Sequence, residues 1–271
     1  MRAQNLTISV PPADPICDKN CPYCVSRMTG YMKTNRRLFY KNMPKVKTLA
    51  KHAQVSSVLL TGKGEPTLSE QDTWAIIQKF NHLPVELQTN GKAISQNFDM
   101  LEAFQQVGLN VLAVSIDDTQ QFVDYYELFA RSKEIGLVTR VTFNVINQGV
   151  GFEALVDLCQ ENHVDQLMLR CVVVPNNISE EDKTAAWIKK NVDEELYPRL
   201  YDEMRKVCTS YGMLLRRLNF GSLVYDYRGL SVSYSDYCVQ DANDGKDIRS
   251  LIYMEDGHCY TSWNSKASIL F

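Results

Sequence analysis

The sequence predicts an α/β protein with parallel strands, either an open, partial (β/α)6 TIM-type barrel or a doubly wound sheet. Short apolar runs recur along the first two thirds of the chain, at residues 6–10, 58–60, 85–87, 111–116, 138–146 and 167–174. Amphipathic helical patterns lie between these runs, and one of them places Phe152, Leu155, Val156 and Cys159 on a single face. Apolar strands that alternate with such helices are typical of parallel βαβ units, and six strands are too few to close an eight-stranded barrel.

The pattern changes towards the end of the chain. Residues 1–178 hold the six predicted strands and are expected to form the core, and helical character continues over 179–212. Residues 213–271 alternate strand-like runs with turns, and the pair Asp256-Gly257 between two such runs predicts a β-hairpin. We therefore expect a small C-terminal α+β cap over residues 213–271.

The composition is that of a globular protein, with 45% hydrophobic and 23% charged residues. No apolar run reaches the roughly 20 residues that a membrane-spanning helix needs. The first residues lack the apolar stretch of a secretory signal. We expect a soluble, cytoplasmic protein that does not contact a membrane.

The net charge of −3 is unevenly distributed, because residues 25–64 carry nine Lys or Arg and no Asp or Glu. This basic segment is either a solvated face, a docking site for an acidic electron carrier, or a binding site for a phosphorylated or nucleotide-like substrate. Tyr31, Phe39 and Tyr40 are interleaved with the cations, as stacking on bases would require. The acidic remainder of the chain favours a nucleotide-sized anion over a long nucleic acid.

Three of the eight cysteines, Cys17, Cys21 and Cys24, lie within eight residues directly after the first predicted strand. Such bunching in a cytoplasmic chain indicates metal or redox chemistry rather than a disulfide framework. Zinc is one alternative, although a structural zinc needs four ligands and the histidines are scattered singly. Three thiolates also suit an iron–sulfur cluster in which one iron has no protein ligand.

The triplet resembles the hallmark of the radical S-adenosylmethionine (SAM) enzymes, CxxxCxxC with an aromatic residue, here Tyr23, before the last cysteine. A second motif of that superfamily, Gly-Gly-Glu, is matched by residues 61–68 (Thr-Gly-Lys-Gly-Glu-Pro-Thr-Leu), in which Lys63 departs from the commonest form. The glycines, Gly62 and Gly64, would let the backbone approach a ligand closely. The resemblance spans residues 5 to about 175.

The resemblance implies a [4Fe–4S] cluster on Cys17, Cys21 and Cys24, and SAM bound at the ends of the strands. Glu65 would bind the ammonium group of SAM, and Asn90 and Ser115 would contact its methionine moiety. Asp117 would structure that edge, Asn144 would lie near the ribose, and either Arg170 or Arg140 would pair with the carboxylate through a bidentate fork.

The activity implied is reductive cleavage of SAM to a 5'-deoxyadenosyl radical, which abstracts hydrogen from a small, nucleotide-like or phosphorylated substrate. A strong one-electron donor such as flavodoxin or ferredoxin is an expected partner. Two alternatives stay open, namely a radical SAM enzyme that modifies peptides or proteins (an epimerase, a maturase or a glycyl-radical activase) and a zinc-binding module without catalysis. Because the chain opens at its first strand, no leader-peptide-binding domain is expected.

The C-terminal hairpin resembles the auxiliary-cluster modules of the SPASM or twitch type. Only Cys238 and Cys259 lie in this region, which is too few for a second cluster on cysteines alone, so we expect a degenerate cap without one. Either thiol is a candidate hydrogen-atom donor to a substrate radical. The remaining cysteines, Cys159, Cys171 and Cys208, fall on apolar faces and are expected to be core residues.

Overall fold

The computed structural model describes residues 2–175, 178–179, 181–218, 222–235, 247–263 and 265–271. Within these ranges the strands are β1 (Arg2–Ser9), β2 (Val58–Thr61), β3 (Val85–Thr89), β4 (Val111–Ile116), β5 (Val138–Val145), β6 (Gln166–Cys171), β7 (Met213–Arg217), β8 (Leu223–Tyr227), β9 (Leu230–Ser235), β10 (Asp247–Tyr253) and β11 (Cys259–Tyr260). The α-helices of the described chain are α1 (Val25–Thr29), α2 (Arg36–His52), α3 (Glu70–Phe80), α4 (Phe98–Gln106), α5 (Gln120–Asp124), α6 (Tyr126–Glu134), α7 (Phe152–Glu161), α8 (Lys183–Asn191) and α9 (Leu196–Tyr211). All six strands predicted for the core are present.

The chain divides into two compact units. The first unit comprises Met1–Asn20, Thr29–Leu112 and Val239–Phe271, and the second comprises Cys21–Met28 and Ala113–Cys238. The boundaries predicted at residues 178 and 212 do not coincide with this division, because the C-terminal strands pair with the first strand of the chain.

In the first unit the strand order is β11-β10-β1-β2-β3, and only the pair β10–β11 is antiparallel. The antiparallel pair is the predicted hairpin, and its turn contains Gly257 at a φ of 86°. One face of β1 is apolar and buried, whereas the opposite face carries Asn5, Thr7 and Ser9. Because the other four strands are parallel, their carboxyl ends lie along one edge, which is where α/β proteins bind ligands.

Helix α2 coincides with most of the basic segment and explains how so charged a run folds. Its buried face consists of Phe39, Asn42, Met43, Val46 and Ala50, at the spacing of an amphipathic helix. The Asn35 side chain caps the helix by accepting a hydrogen bond from the Leu38 N–H at 3.0 Å. The cations of α2 therefore lie on its solvent side.

The second unit has the strand order β5-β6-β9-β8-β7, in which β5, β6 and β9 are parallel and the last two pairs are antiparallel. Register places Asn144 of β5 beside Arg170 of β6, and Arg170 beside Ser235 of β9. Since side chains alternate along a strand, these polar residues share one face of the sheet. The opposite face is apolar and includes Val141, Phe143, Leu167 and Leu169.

Candidate functional site

The glycine-rich loop that follows β2 is held against the start of the cysteine loop. A Cβ atom at Gly64 would lie 2.2 Å from the Ile16 carbonyl oxygen, so no side chain fits at this position. The next residue, Glu65, donates its backbone N–H to the same carbonyl at 2.9 Å. Gly62 meets only ordinary contacts at 3.5 Å and leaves room beside the loop. Gly64 therefore serves the packing of the chain, whereas a side chain at Gly62 would meet only ordinary contacts.

Glu65 is 4% exposed, and its carboxylate connects the ends of β2 and β3. Its Oε1 accepts hydrogen bonds from the Thr67 N–H (3.0 Å), the Thr67 hydroxyl (2.8 Å) and the Thr89 hydroxyl (2.6 Å). Its Oε2 accepts one from the Asn90 N–H at 2.8 Å. Burial raises the pKa of Glu65, and the four donors oppose that rise. Sequence analysis missed this bracing role, for which the nearby threonines were the available signal.

Asn90 connects Glu65 with the first cysteine of the triplet, Cys17. Its side-chain amide donates to Asp18 Oδ1 at 2.8 Å and to the Cys17 sulfur at 3.7 Å. The Lys19 N–H also donates to the Cys17 sulfur, at 3.5 Å. Burial raises the pKa of the Cys17 thiol, whereas these two donors lower it. Such N–H donors are the kind that tune thiolate ligands of iron–sulfur clusters.

The other two cysteines of the triplet lie in the second unit, where the chain begins a short helical turn. The Cys24 N–H donates to the Cys21 carbonyl at 3.3 Å, and the Arg27 N–H donates to the Cys24 carbonyl at 3.1 Å. The Tyr23 hydroxyl between them donates to Asp117 Oδ2, at the end of β4. Burial, followed by nearby negative charge, raises the pKa of Tyr23, so the phenol keeps the proton that it donates. Asp117 thus anchors the loop through Tyr23.

The polar face of the second unit contains most of the remaining predicted SAM contacts. The Asn144 amide donates to the Ile116 carbonyl at 3.2 Å, and Ser115 is half-buried on β4. Arg140 Nε donates to the Gln166 side chain at 2.8 Å. Arg170 Nε, in contrast, is buried and has no hydrogen-bond partner among the described residues. Of the two candidate arginines, Arg170 is the one with a buried guanidinium nitrogen, Nε, that has no partner among the described residues.

The described cysteines are all free thiols. Cys17 is exposed, Cys21 and Cys24 are half-buried, and no group of three His, Cys, Asp or Glu side chains in the described ranges is arranged to hold a metal ion. Cys159 and Cys208 are buried, as expected of core residues, whereas Cys171 is half-buried. Burial raises the pKa of Cys259 to about 12, which keeps this candidate hydrogen-atom donor a neutral thiol. Cys238 lies outside the described residues.

The aromatic residues of the basic segment do not form one stacking surface. Phe39 is fully buried and stacks on Tyr253 with ring centroids 4.6 Å apart, so the expectation that it stacks on bases is wrong. Tyr31 and Tyr40 are exposed, and the Tyr40 hydroxyl donates to Asp72. Arg36 forms an ion pair with the same Asp72 at 3.0 Å. The helix uses part of its charge and aromatic surface for its own packing.

No helix of the described chain is both long and apolar enough to cross a membrane.

Comparison with known proteins gives one family and several relatives. The family model described as the radical SAM superfamily matches residues 14–188, which is more than half of the chain. A "GTP 3',8-cyclase" from Clostridium acetobutylicum is 26% identical over 129 residues, covering 46% of this chain and 37% of that protein.

The crystal structure of Streptococcus suis SuiB bound to S-adenosylmethionine has a TM-score of 0.65 at 17% identity, over 95% of this chain and 60% of SuiB. SuiB bound to the precursor peptide SuiA has a TM-score of 0.63 at 18% identity, over 95% and 59%. This chain thus spans less than two thirds of each of these proteins. The structural similarity confirms the expected α/β fold with mostly parallel strands. The match over residues 14–188 shows that the chain belongs to the radical SAM superfamily of enzymes.

Proposed function

We propose that this protein reductively cleaves SAM at a [4Fe–4S] cluster and uses the resulting 5'-deoxyadenosyl radical to abstract hydrogen from a small, nucleotide-like or phosphorylated substrate. The observation that carries the proposal is the chain of contacts from Glu65 through Asn90 to Cys17. It connects two loops at ligand-binding strand ends with the first cysteine of the triplet.

Cys17, Cys21 and Cys24 would hold the cluster. The donor chemistry fits, because all three are free thiols on one short loop and none of them is fully buried, although in the described ranges they are not arranged around one metal position. Thiolates are the usual ligands of such clusters, and three of them leave one iron for another ligand. Asn90 and Lys19 would stabilise the thiolate of Cys17 through the hydrogen bonds that they already donate to its sulfur. Tyr23 and Asp117 would keep the loop around Cys21 and Cys24 in place.

The remaining residues would bind SAM, which supplies the radical chemistry when bound with the reduced cluster. Glu65 Oε2 accepts a single hydrogen bond and so retains capacity for the ammonium group. Arg170 would pair its buried, unpartnered Nε with the carboxylate. The backbone at Gly62 and the side chains of Asn90, Ser115, Asp117 and Asn144 would complete the contacts.

The substrate class rests on two observations. The relative named GTP 3',8-cyclase matches 129 residues of this chain, which supports a nucleotide-like substrate. Helix α2 exposes Arg37, Lys41, Lys45 and Lys51, which supports either a phosphorylated substrate or docking of an acidic one-electron donor such as flavodoxin or ferredoxin.

Anaerobic reconstitution with iron and sulfide tests the proposal. We expect about four irons per chain and release of 5'-deoxyadenosine when SAM and dithionite are added. Cys21→Ala should lose the cluster and the SAM cleavage, because one of three ligands is missing. Cys259→Ala is the matched control and should keep its iron. This thiol is buried and lies far from the triplet loop in the sequence.

The outcomes separate the alternatives. Zinc in place of iron, with no SAM cleavage, would show a zinc-binding module and overturn the proposal. Unchanged iron in Cys21→Ala would overturn the ligand assignment. Iron approaching eight per chain would show a second cluster in the C-terminal region. Radical chemistry on a peptide but on no small molecule would favour the peptide-modifying alternative.

A further inference from the structure

Buried polar atoms without partners point to a second site in the first unit. Four such side-chain atoms occur among the described residues: Ser9 Oγ, Arg170 Nε, Glu255 Oε2 and His258 Nδ1. Arg170 is accounted for above. The other three belong to the end of β1 and to the hairpin turn that follows β10, its neighbour in the sheet. Native proteins rarely leave buried polar groups unpaired, so each of these three atoms needs a ligand or another explanation.

Of the three residues, Glu255 has the greatest need of a partner, because its side chain is a carboxylate and the residue is only 1% exposed. The turn that carries it is fixed to α2. The Asn35 N–H donates to the Glu255 carbonyl at 2.9 Å, and the Asn42 amide donates to the Gly257 carbonyl at 2.8 Å. The backbone of the turn is therefore held against α2, and the Glu255 carboxylate lies buried there.

The charged neighbours of Glu255 are engaged elsewhere. Lys63 is half-buried, and its ammonium donates to the Thr29 hydroxyl at 3.3 Å and the Gly30 carbonyl at 2.5 Å. Burial lowers the pKa of Lys63, and the charge of Glu255 opposes that shift, so the two groups sense each other. Asp256 accepts the Tyr260 hydroxyl at 2.7 Å. Lys63, Glu255 and Asp256 together carry a net charge of −1, so one further positive charge would neutralise the group.

An apolar cluster lies on the same hairpin. Ile252, Met254 and Tyr260 are buried together, and the partly buried Met32 and Trp263 pack against them. Ile252 is aligned with Thr7 across β1 and β10, which places it on the face of the sheet that also carries Ser9. An apolar cluster and an unpaired carboxylate oxygen on one hairpin suit a ligand with a hydrophobic body and a positively charged nitrogen.

We propose that Glu255 anchors a substrate that carries an amine, with Oε2 accepting a hydrogen bond from the ammonium group and Met254 and Trp263 contacting the apolar part. The Ser9 hydroxyl and His258 Nδ1 offer additional polar contacts. As a substrate site, this inference rests on the function proposed above and narrows its substrate class; as a binding site, it stands on the geometry alone.

The test uses the full chain, purified anaerobically, with phenethylamine and butylamine as probes. Saturation-transfer NMR and calorimetry should detect both amines on the wild-type protein, with at least tenfold weaker binding to Glu255→Gln. Glu70→Gln, which changes an exposed glutamate on the same unit, should bind like wild type. 3-Phenylpropionate, which has a carboxylate instead of the amine, should bind neither protein.

A stability measurement distinguishes a ligand anchor from a structural carboxylate. Without probe, Glu255→Gln should unfold at the same temperature as wild type or higher, because the substitution removes a buried charge whose Oε2 has no hydrogen-bond partner. A clear loss of stability, equal amine binding by wild type and Glu255→Gln, binding of 3-phenylpropionate alone, or binding of no amine would each overturn the proposal.

Release of 5'-deoxyadenosine without substrate is measured on the same samples. If the wild type releases none, this would count against the proposed function. The comparison of amine binding between wild type and Glu255→Gln would still decide whether Glu255 anchors a ligand.

Discussion

Two buried glutamates of the first unit follow parallel strands and yet have opposite surroundings. Glu65, after β2, accepts four hydrogen bonds from Thr67, Thr89 and Asn90. Glu255, after β10, has an oxygen without any partner in the described chain. The comparison teaches that burial alone does not reveal what a carboxylate does. A carboxylate that accepts several hydrogen bonds from neighbouring loops braces those loops whether or not it also binds a ligand, whereas an oxygen without a partner has no such structural role.

Replacing Glu65 should give the largest effect. Glu65→Ala leaves four buried donors without an acceptor, so we expect a loss of about 3–5 kcal/mol in the free energy of unfolding. Glu65→Gln should lose less, because one oxygen remains. Chemical denaturation measures both, with Glu70→Ala as the exposed control. Even one unpaired buried group costs about 1–3 kcal/mol, so a loss below about 1 kcal/mol in Glu65→Ala would contradict the bracing role.

The same variants have a pH signature. Because burial raises the pKa of Glu65, the native state binds a proton more tightly than the unfolded state, whose glutamate pKa is about 4.3. Between the two values the native state holds more protons, so the free energy of unfolding falls as pH rises. Glu65→Gln should lack this decrease. An identical pH profile of stability for wild type and Glu65→Gln would show that Glu65 does not cause the decrease.

Gly257→Ala should give the second largest effect. It tests the contacts that hold the turn carrying Glu255. The residue has a φ of 86°, and a Cβ atom there would lie 2.7 Å from the Phe39 nitrogen. Backbone strain and the clash together should cost about 2–4 kcal/mol. Gly136→Ala is a matched control, since its φ is 80° but a Cβ atom would meet nothing within 4 Å. Equal losses in the two variants would show that the contact with α2 contributes nothing.

Asn42→Ala should give the smallest effect, about 1–2 kcal/mol, because it leaves the buried Gly257 carbonyl without its donor. Thr48→Ala on the exposed side of the same helix should change stability by less than about 0.5 kcal/mol. Thermal unfolding compares the two. If Asn42→Ala is as stable as the control, the turn does not depend on this hydrogen bond.

Much of the fold could be predicted from local patterns. The strands β1–β6 and the hairpin turn follow from apolar runs and from Asp256-Gly257, and the cysteine triplet pointed to the chemistry. Helix α2 was hidden by its charge, although Phe39, Met43, Val46 and Ala50 recur at helical spacing. The parallel pairing of β10 with β1 could not be predicted, because a hairpin signal specifies only the partner that is adjacent in sequence.

The site was predicted less completely than the fold. Glycines in the Gly62–Glu65 loop were recognised, but nothing local indicated that a side chain would clash with Ile16 at Gly64 and meet only ordinary contacts at Gly62. The hydrogen bonds of Glu65 to Thr89 and Asn90, and the lack of a partner at Glu255 Oε2, depend on residues distant in the chain. Such differences follow from tertiary packing, which a single sequence does not display.

The pairing of β1 with β10 also bears on how the protein is made. The Arg2 N–H donates to the Asp247 side chain across 245 residues of chain. During synthesis, β1 and β2 exist long before β10 emerges, so one edge of β1 stays open and able to pair with other chains. Contacts of such sequence separation slow folding. The first unit therefore forms only after β10 has been synthesised, and the turn that carries Glu255 is ordered only at that stage.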